Sequence, residues 1–393
     1  MEVPYRFKHN TSSFAHYWNN GIGKELLDQL GFVPDLDQAQ AFIPLLYHCD
    51  KIGDKVIEDL YNTSGFYEAN ASLIRHLNGY PNPDKANRVW NEFFATFEIS
   101  PAWLDREKLK YGAELSRRAG LSALIVLRDY CLMGGYESAA INKPLIFTGA
   151  LKRGAVKRLR DTVEFWVQIT KENALEKGNE GFKKVMQTRM IHSFSRVSIL
   201  SKTDWDSNRW GLPINTWDML ATNLGFSLVF LVGLRKVGII PSKEEVEGLF
   251  HYWKYIGYLL GIPLEIIPEN ELEAIEAMFY WTMTQREGDE DTKTLAHALM
   301  EEPILANYPK NALMRKMMRE IHLYYNEFFL GEYSCDLLGL PKTTIGQFAR
   351  INIWKTRREQ AKIVDEETRQ HAIQNGGKEQ EQVRKIYQRF NNV

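Results

Sequence analysis

Apolar residues recur at intervals of three and four along most of the 393-residue chain, the spacing that lines one face of an α-helix. The periodicity predicts helices over 115–133, 155–173, 182–200, 215–237, 246–260, 271–284, 292–301 and 312–330. Fourteen prolines and 27 glycines mostly punctuate these segments, and no series of short alternating strands with hairpin turns interrupts them. Asn215 ahead of Asp218 and Asn270 ahead of Glu273 read as helix starts, each Asn oxygen taking up a free backbone amide. Residues 1–110 are aromatic-rich and broken by Pro34, Pro44, Pro81, Pro83 and Pro101, which predicts short helices packed as a cap. Residues 111–345 form the predicted core. Residues 346–393 turn polar beyond Trp354 and read as a solvated helical extension. The fold class is all-α.

Composition narrows the classes of function. With 44% apolar and 25% charged residues the chain can bury a large core, and 49 basic against 50 acidic residues leave a net charge of -1. No global positive field favours nucleic acid, whose phosphates demand clustered cations. Cys49, Cys131 and Cys335 are scattered and odd in number, which fits a reducing compartment rather than a disulfide framework. The start, Met1-Glu2-Val3-Pro4-Tyr5-Arg6, lacks a basic stretch followed by an apolar one, so a cytoplasmic protein is expected. The longest uncharged run, 219–234, falls short of the roughly 20 residues that span a bilayer and reads as a buried core helix.

Candidate chemistry is sparse. None of the nine histidines has zinc-like spacing, no Glu-x-x-His repeats on two helices, and neither a Gly-rich phosphate loop nor a Gly-x-Ser-x-Gly turn is present. Single histidines on helices remain. His192 lies in Arg189-Met190-Ile191-His192-Ser193-Phe194-Ser195-Arg196, where an arginine stands on either side of one imidazole. Such a histidine could be the single axial ligand of a haem iron, with the guanidiniums on the propionates. Equally it could be a structural residue in a polar seam. On the preceding helix, Arg158 and Thr162 are one turn apart and project to one side, with Phe165 and Trp166 beyond them. They could orient dioxygen above an apolar floor, or belong to a surface ladder with Arg160, Asp161 and Glu164. His251 and His297 read as packing residues, and His9, His16, His48, His76, His322 and His371 have no chemical company in the sequence.

The order of these pieces resembles a known family. Arg158-x-x-x-Thr162, then 29 residues to His192 inside Arg189-x-x-His192-x-x-x-Arg196, is similar to the rubber oxygenase (latex-clearing protein) and MpaB-type oxygenases. Gly211-Leu212-Pro213-Ile214-Asn215-Thr216-Trp217-Asp218 with Thr222 and Phe226, the run from Tyr255 to Ile262, and Leu338-Gly339-Leu340-Pro341 fit the same pattern. The likeness covers about 115–345.

The resemblance implies a globin-like helical core around one b-type haem. It implies His192 as the iron ligand, Arg158 and Thr162 on the side where dioxygen binds, and Arg189 and Arg196 near the propionates. It also implies oxidative attack on carbon–carbon double bonds of isoprenoid chains. Two departures stand out. Some rubber oxygenases carry a lysine beside the threonine that can occupy the iron at rest; here Asp161 stands there, so a five-coordinate or water-bound resting state is expected. The family's upstream acid aligns near Asn142, with Glu137 as its possible substitute. A solid extracellular polymer does not reach a cytoplasmic enzyme, so a smaller apolar or prenylated molecule is the expected substrate. Two rivals stay open: a haem protein without turnover, such as a gas sensor or carrier, and a haem-free interaction protein of the same fold.

Overall fold

The computed structural model describes residues 3–8, 14–79, 88–149, 154–306 and 308–389. His9, Pro81 and Pro83 lie outside them. Among the described residues every multi-residue element is helical, and the extended pairing is an isolated bridge between Phe7 and Gln285. Helix starts follow the polar signals in the sequence: Asn215 Oδ1 accepts the Asp218 amide at 2.9 Å, and Asn270 Oδ1 accepts that of Glu273 at 3.1 Å.

The apolar run forms the centre. Thr216–Leu224 and Phe230–Val237 continue one into the other through a π-turn at Gly225–Val229. By length and composition this helix is apolar enough to cross a membrane, yet 67% of its most apolar window is buried inside the fold. Lys243–Leu259, Glu271–Met283 and the helix Gly120–Val126 with its own π-turn at Leu127–Leu132 surround it. Close approach depends on missing side chains: a Cβ on Gly233 would stand 2.3 Å from Val126 Cγ1, and one on Gly112 2.5 Å from the Gly248 carbonyl oxygen. Trp18, Leu46, Trp90 and Phe93 of the N-terminal third belong to the same continuous apolar core as Trp166 and Trp217.

Three expectations change. The predicted helix 115–133 is two helices, Arg106–Arg118 and Gly120–Val126, and the first runs across the predicted boundary at 110. The break falls at Gly120, whose φ of +54° favours glycine, and Gly376 is packed so closely there that a Cβ on it would meet the Arg117 carbonyl oxygen at 2.1 Å. Secondly, the helix predicted over 312–330 breaks at Gly331, with a φ of +83°, as its predicted end requires, but then resumes to Leu337. Thirdly, the polar tail is no solvated appendage. Its helix Glu366–Gln388 lies against Arg106–Arg118, Gly120–Val126 and Ala155–Ile169. Arg369 bridges Glu114 and Glu245, the Gln380 amide donates to the Ser116 and Gly120 carbonyls, and Arg384 pairs with Glu164. Its polar residues fasten it to buried polar partners, which a hydrophobicity pattern does not register.

Candidate functional site

The helix Glu180–Lys202 buries Phe182, Val185, Arg189, Ser193 and Arg196, each three or four positions from the next. Two arginines therefore continue the buried stripe, and His192 sits at its border. Buried guanidiniums demand partners. Arg189 Nε and Nη2 donate to the two Asp50 oxygens at 2.6 and 2.7 Å, and Nη1 donates to the Leu259 carbonyl at 3.1 Å. Its guanidinium also lies over the rings of Phe93 and Phe97. Arg196 Nε donates to Asp54 at 2.9 and 3.0 Å, and Nη1 to the Ile214 carbonyl at 2.6 Å. Both aspartates come from one short stretch: Asp50 caps the helix Lys51–Val56, and Asp54 follows one turn later. Gly53 lets that helix press against the site, since a Cβ there would meet Ser193 Oγ at 2.5 Å.

The Ile214 carbonyl is presented by a strained residue. Ile214 has a φ of +53°, a region costly for a β-branched side chain, by about 1–3 kcal/mol. Backbone bonds from Leu212 to the Leu46 carbonyl and from Thr216 to the His48 carbonyl hold this loop, with the Arg196 fork on Ile214 itself.

His192 borders a cleft, lined also by Asp50, Arg189, Arg196, Ile214, Met219 and Leu260, whose free volume of about 10 Å³ is room for about one water molecule. Its Nδ1 is buried with no hydrogen-bond partner among the described residues. Burial, and next the Arg196 charge, push its pKa down to about 4, so the ring is neutral at physiological pH. An unprotonated, unpartnered imidazole is the state a metal ligand requires. On donor chemistry the residue fits a haem iron. The arginines are already taken: their forks are filled by Asp50 and Asp54, not left open for propionates. At that volume the cleft does not admit a tetrapyrrole as it stands, so the imidazole fits a haem iron by donor chemistry and the surrounding space does not.

On the helix Ala155–Ile169, Arg158 and Thr162 are half-buried on one side as their spacing requires. Arg158 Nη1 donates to the Tyr136 hydroxyl at 2.7 Å, and its guanidinium stands 5.2 Å from that ring's centre. Thr162 donates to the Arg158 carbonyl at 2.9 Å. Trp166 is fully buried in a stack with Phe226 and Trp253, while Phe165 is half-buried near Phe226. Asp161 faces solvent, paired with Lys157 and Arg160. The two candidate helices pack against each other, but the cleft at His192 does not include Arg158 or Thr162.

Of the two upstream positions, the Asn142 amide donates to the Tyr136 and Ser138 carbonyls and closes that turn. Glu137 is buried and bonds with Ser334; burial raises its pKa to about 8. Sequence reasoning missed Asp50, Asp54 and Tyr136. A signal existed: two arginines on one buried stripe require two acids, and Asp50 and Asp54 stand one turn apart at the start of a single helix. It also left His322 without company, whereas its Nδ1 lies 2.6 Å from Asp129 in a buried network with Arg128, Glu302 and Asn326. His251 accepts the Asp105 amide and His297 bonds the Gly339 carbonyl, as satisfied packing residues do.

Residues 117–358 match the family described as ER-bound oxygenase mpaB/B'/rubber oxygenase, catalytic domain. The chain belongs to that family. The matched span contains the Arg158, Thr162 and His192 segments and most of the residues whose order pointed to it. No curated protein sequence matches the chain. Among solved structures, that of latex clearing protein LCP in the closed state is similar, with a TM-score of 0.61 and 18% identity over 88% of this chain and 92% of that one. At that identity the likeness concerns the all-α fold. Family membership supports an oxygenase role.

Proposed function

We propose that this chain is a haem b-dependent oxygenase acting on a small apolar alkene, isoprenoids being the substrate class the family resemblance implies. His192 would hold its iron. The observation that carries this reading is the buried, unpartnered Nδ1 of a neutral imidazole, His192 of the family-matched segment, at the edge of a small cleft. When bound, haem supplies the redox chemistry with dioxygen that no side chain here provides.

The chain's own residues supply position and polarity. Arg189 and Arg196 anchor the His192 helix to Asp50 and Asp54, and cofactor carboxylates reach them only by displacing those aspartates. Arg158, oriented by Tyr136, and the Thr162 hydroxyl are the donors proposed to stabilise negative charge developing on oxygen. The Trp166, Phe226 and Trp253 stack keeps the neighbouring interior dry. Asp161 points to solvent and offers no nitrogen to iron. In this reading the site of action is the cytoplasm.

The test is the ultraviolet–visible spectrum, with a pyridine haemochrome assay, of protein expressed with ample haem. The wild type should carry haem b and His192→Ala should lose it. A variant that keeps its full haem content and an unchanged spectrum overturns the assignment. Colourless wild type points to a haem-free interaction protein. Coloured protein that consumes no oxygen with alkenes points to a sensor or carrier.

A further inference from the structure

The edge of the fold formed by the turn Ile345–Phe348 and the helix Ala349–Gln360 exposes apolar side chains that the interior does not use. The helix is fastened inward by Ala349 and Ile353, both buried. Outward it carries Ile345, Phe348, Ile351 and Trp354, three residues apart and 56%, 60%, 60% and 59% exposed. Gly346 packs on the Glu320 backbone, where a Cβ would meet the carbonyl oxygen at 2.3 Å. That contact brings the turn within one helical turn of Met317, itself exposed.

Charge is distributed just as unevenly. The stretch 349–362 holds Arg350, Lys355, Arg357, Arg358 and Lys362 against a single acid, Glu359, in a chain whose net charge is -1. Arg357 turns inward, its stem against Gly238 and its guanidinium on the Lys236 carbonyl. Arg358 instead lies over the exposed Trp354 ring, 5.5 Å from its centre.

We propose that this face docks onto a lipid surface carrying anionic headgroups. Trp354, Phe348 and Ile351 enter the boundary between headgroups and acyl chains, while Lys355 and Arg358 reach the phosphates; Arg350 is held back by its Nε on the Tyr324 hydroxyl at 2.9 Å. The chemistry favours lipid over protein. Bulky apolar and aromatic residues interleaved with lysine and arginine on one exposed face match an interfacial helix, whereas the cores of protein interfaces are depleted in lysine. Long basic side chains lay their stems along the apolar surface and keep their charges at headgroup level. The inference does not depend on the cofactor.

The experiment is co-sedimentation of the full-length protein with phosphatidylcholine vesicles, with and without phosphatidylserine, at low and high salt. The wild type should bind the anionic vesicles and release at high salt. The triple variant Phe348→Ser, Ile351→Ser, Trp354→Ser should lose about tenfold or more in affinity, and Lys355→Glu with Arg358→Glu a similar factor on anionic vesicles alone. These side chains are exposed, so the variants should keep the wild-type melting profile. Brominated lipid should quench the wild type more than Trp354→Phe, an arm that requires no destabilising change. Wild type left in the supernatant, or variants that sediment equally well, overturns the proposal. So does a wild-type dimer that the triple variant renders monomeric, because the face then belongs to a second copy of the chain.

Discussion

The helices bearing His192 and Arg158 pack side by side and are held in opposite ways. The His192 helix is fixed by desolvated charge: Arg189 and Arg196 are 5% and 2% exposed, each doubly bonded to an aspartate and closed by a backbone carbonyl. The Arg158 helix is held by apolar packing at Trp166 and, across its length, by Glu164 to Arg384 of the terminal helix. Its candidate residues are half-exposed, with one tyrosine hydroxyl on Arg158 and a bond within the helix for Thr162. On the proposed reading, a ligand mount must stay put, whereas residues facing a diatomic molecule and a variable substrate need only be oriented. The cost of desolvating charge is accepted on the side where position matters most.

Asp50→Ala breaks the comparison most severely. It strands the buried Arg189 charge and should cost about 3–5 kcal/mol in chemical denaturation. A loss under about 1 kcal/mol would show that the pair is not desolvated as described. Gly376→Ala tests the clasp behind the Arg158 helix. The added methyl meets the Arg117 carbonyl, and about 1–3 kcal/mol should be lost in thermal unfolding, with the His192 helix undisturbed.

Glu137 sharpens the contrast through pH. Its folded pKa, raised by burial to about 8, exceeds the ordinary 4.5, so the folded protein holds a proton that the unfolded chain releases. Its contribution is fully present below pH 4.5 and is lost as pH rises toward and through 8. Glu137→Gln should flatten that decline in stability measured between pH 5 and 8; an unchanged slope places the titration elsewhere. Tyr136→Phe removes one hydrogen bond to a half-exposed guanidinium, and about 0.5–1.5 kcal/mol is expected, with a larger relative effect on oxygenase activity than on stability. Asp161→Ala, on a solvated pair, should change stability by less than about 0.5 kcal/mol. The resting haem spectrum should be five-coordinate or water-bound in both; a low-spin spectrum with two nitrogen ligands contradicts the role given to Asp161.

Much of the architecture was legible in local pattern. Asn215 and Asn270 cap where short polar side chains precede apolar periodicity, because capping is decided within one helical turn. The buried central helix followed from its composition, and the family from the order of Arg158, Thr162, Arg189, His192 and Arg196. The partners of those arginines were not legible: Asp50 lies 139 positions from Arg189, and only the packing of Lys51–Val56 at Gly53 brings them together. The terminal helix was misread for a similar reason. Arg369, Gln380 and Arg384 look like solvated residues until Glu114, Glu245, the Ser116 carbonyl and Glu164 are placed opposite them.

By itself the sequence determined an all-helical chain, its buried segments, its helix starts and the stripe that carries His192 between two arginines, because each depends on neighbours within a turn or two. Tertiary structure decided which carboxylates neutralise that stripe, that the His192 Nδ1 is left without a partner among the described residues, that Glu137 is buried beside Ser334, and which apolar residues remain outside. Those outcomes depend on desolvation and on contacts between distant segments, and neither is written in the spacing of residues along one helix.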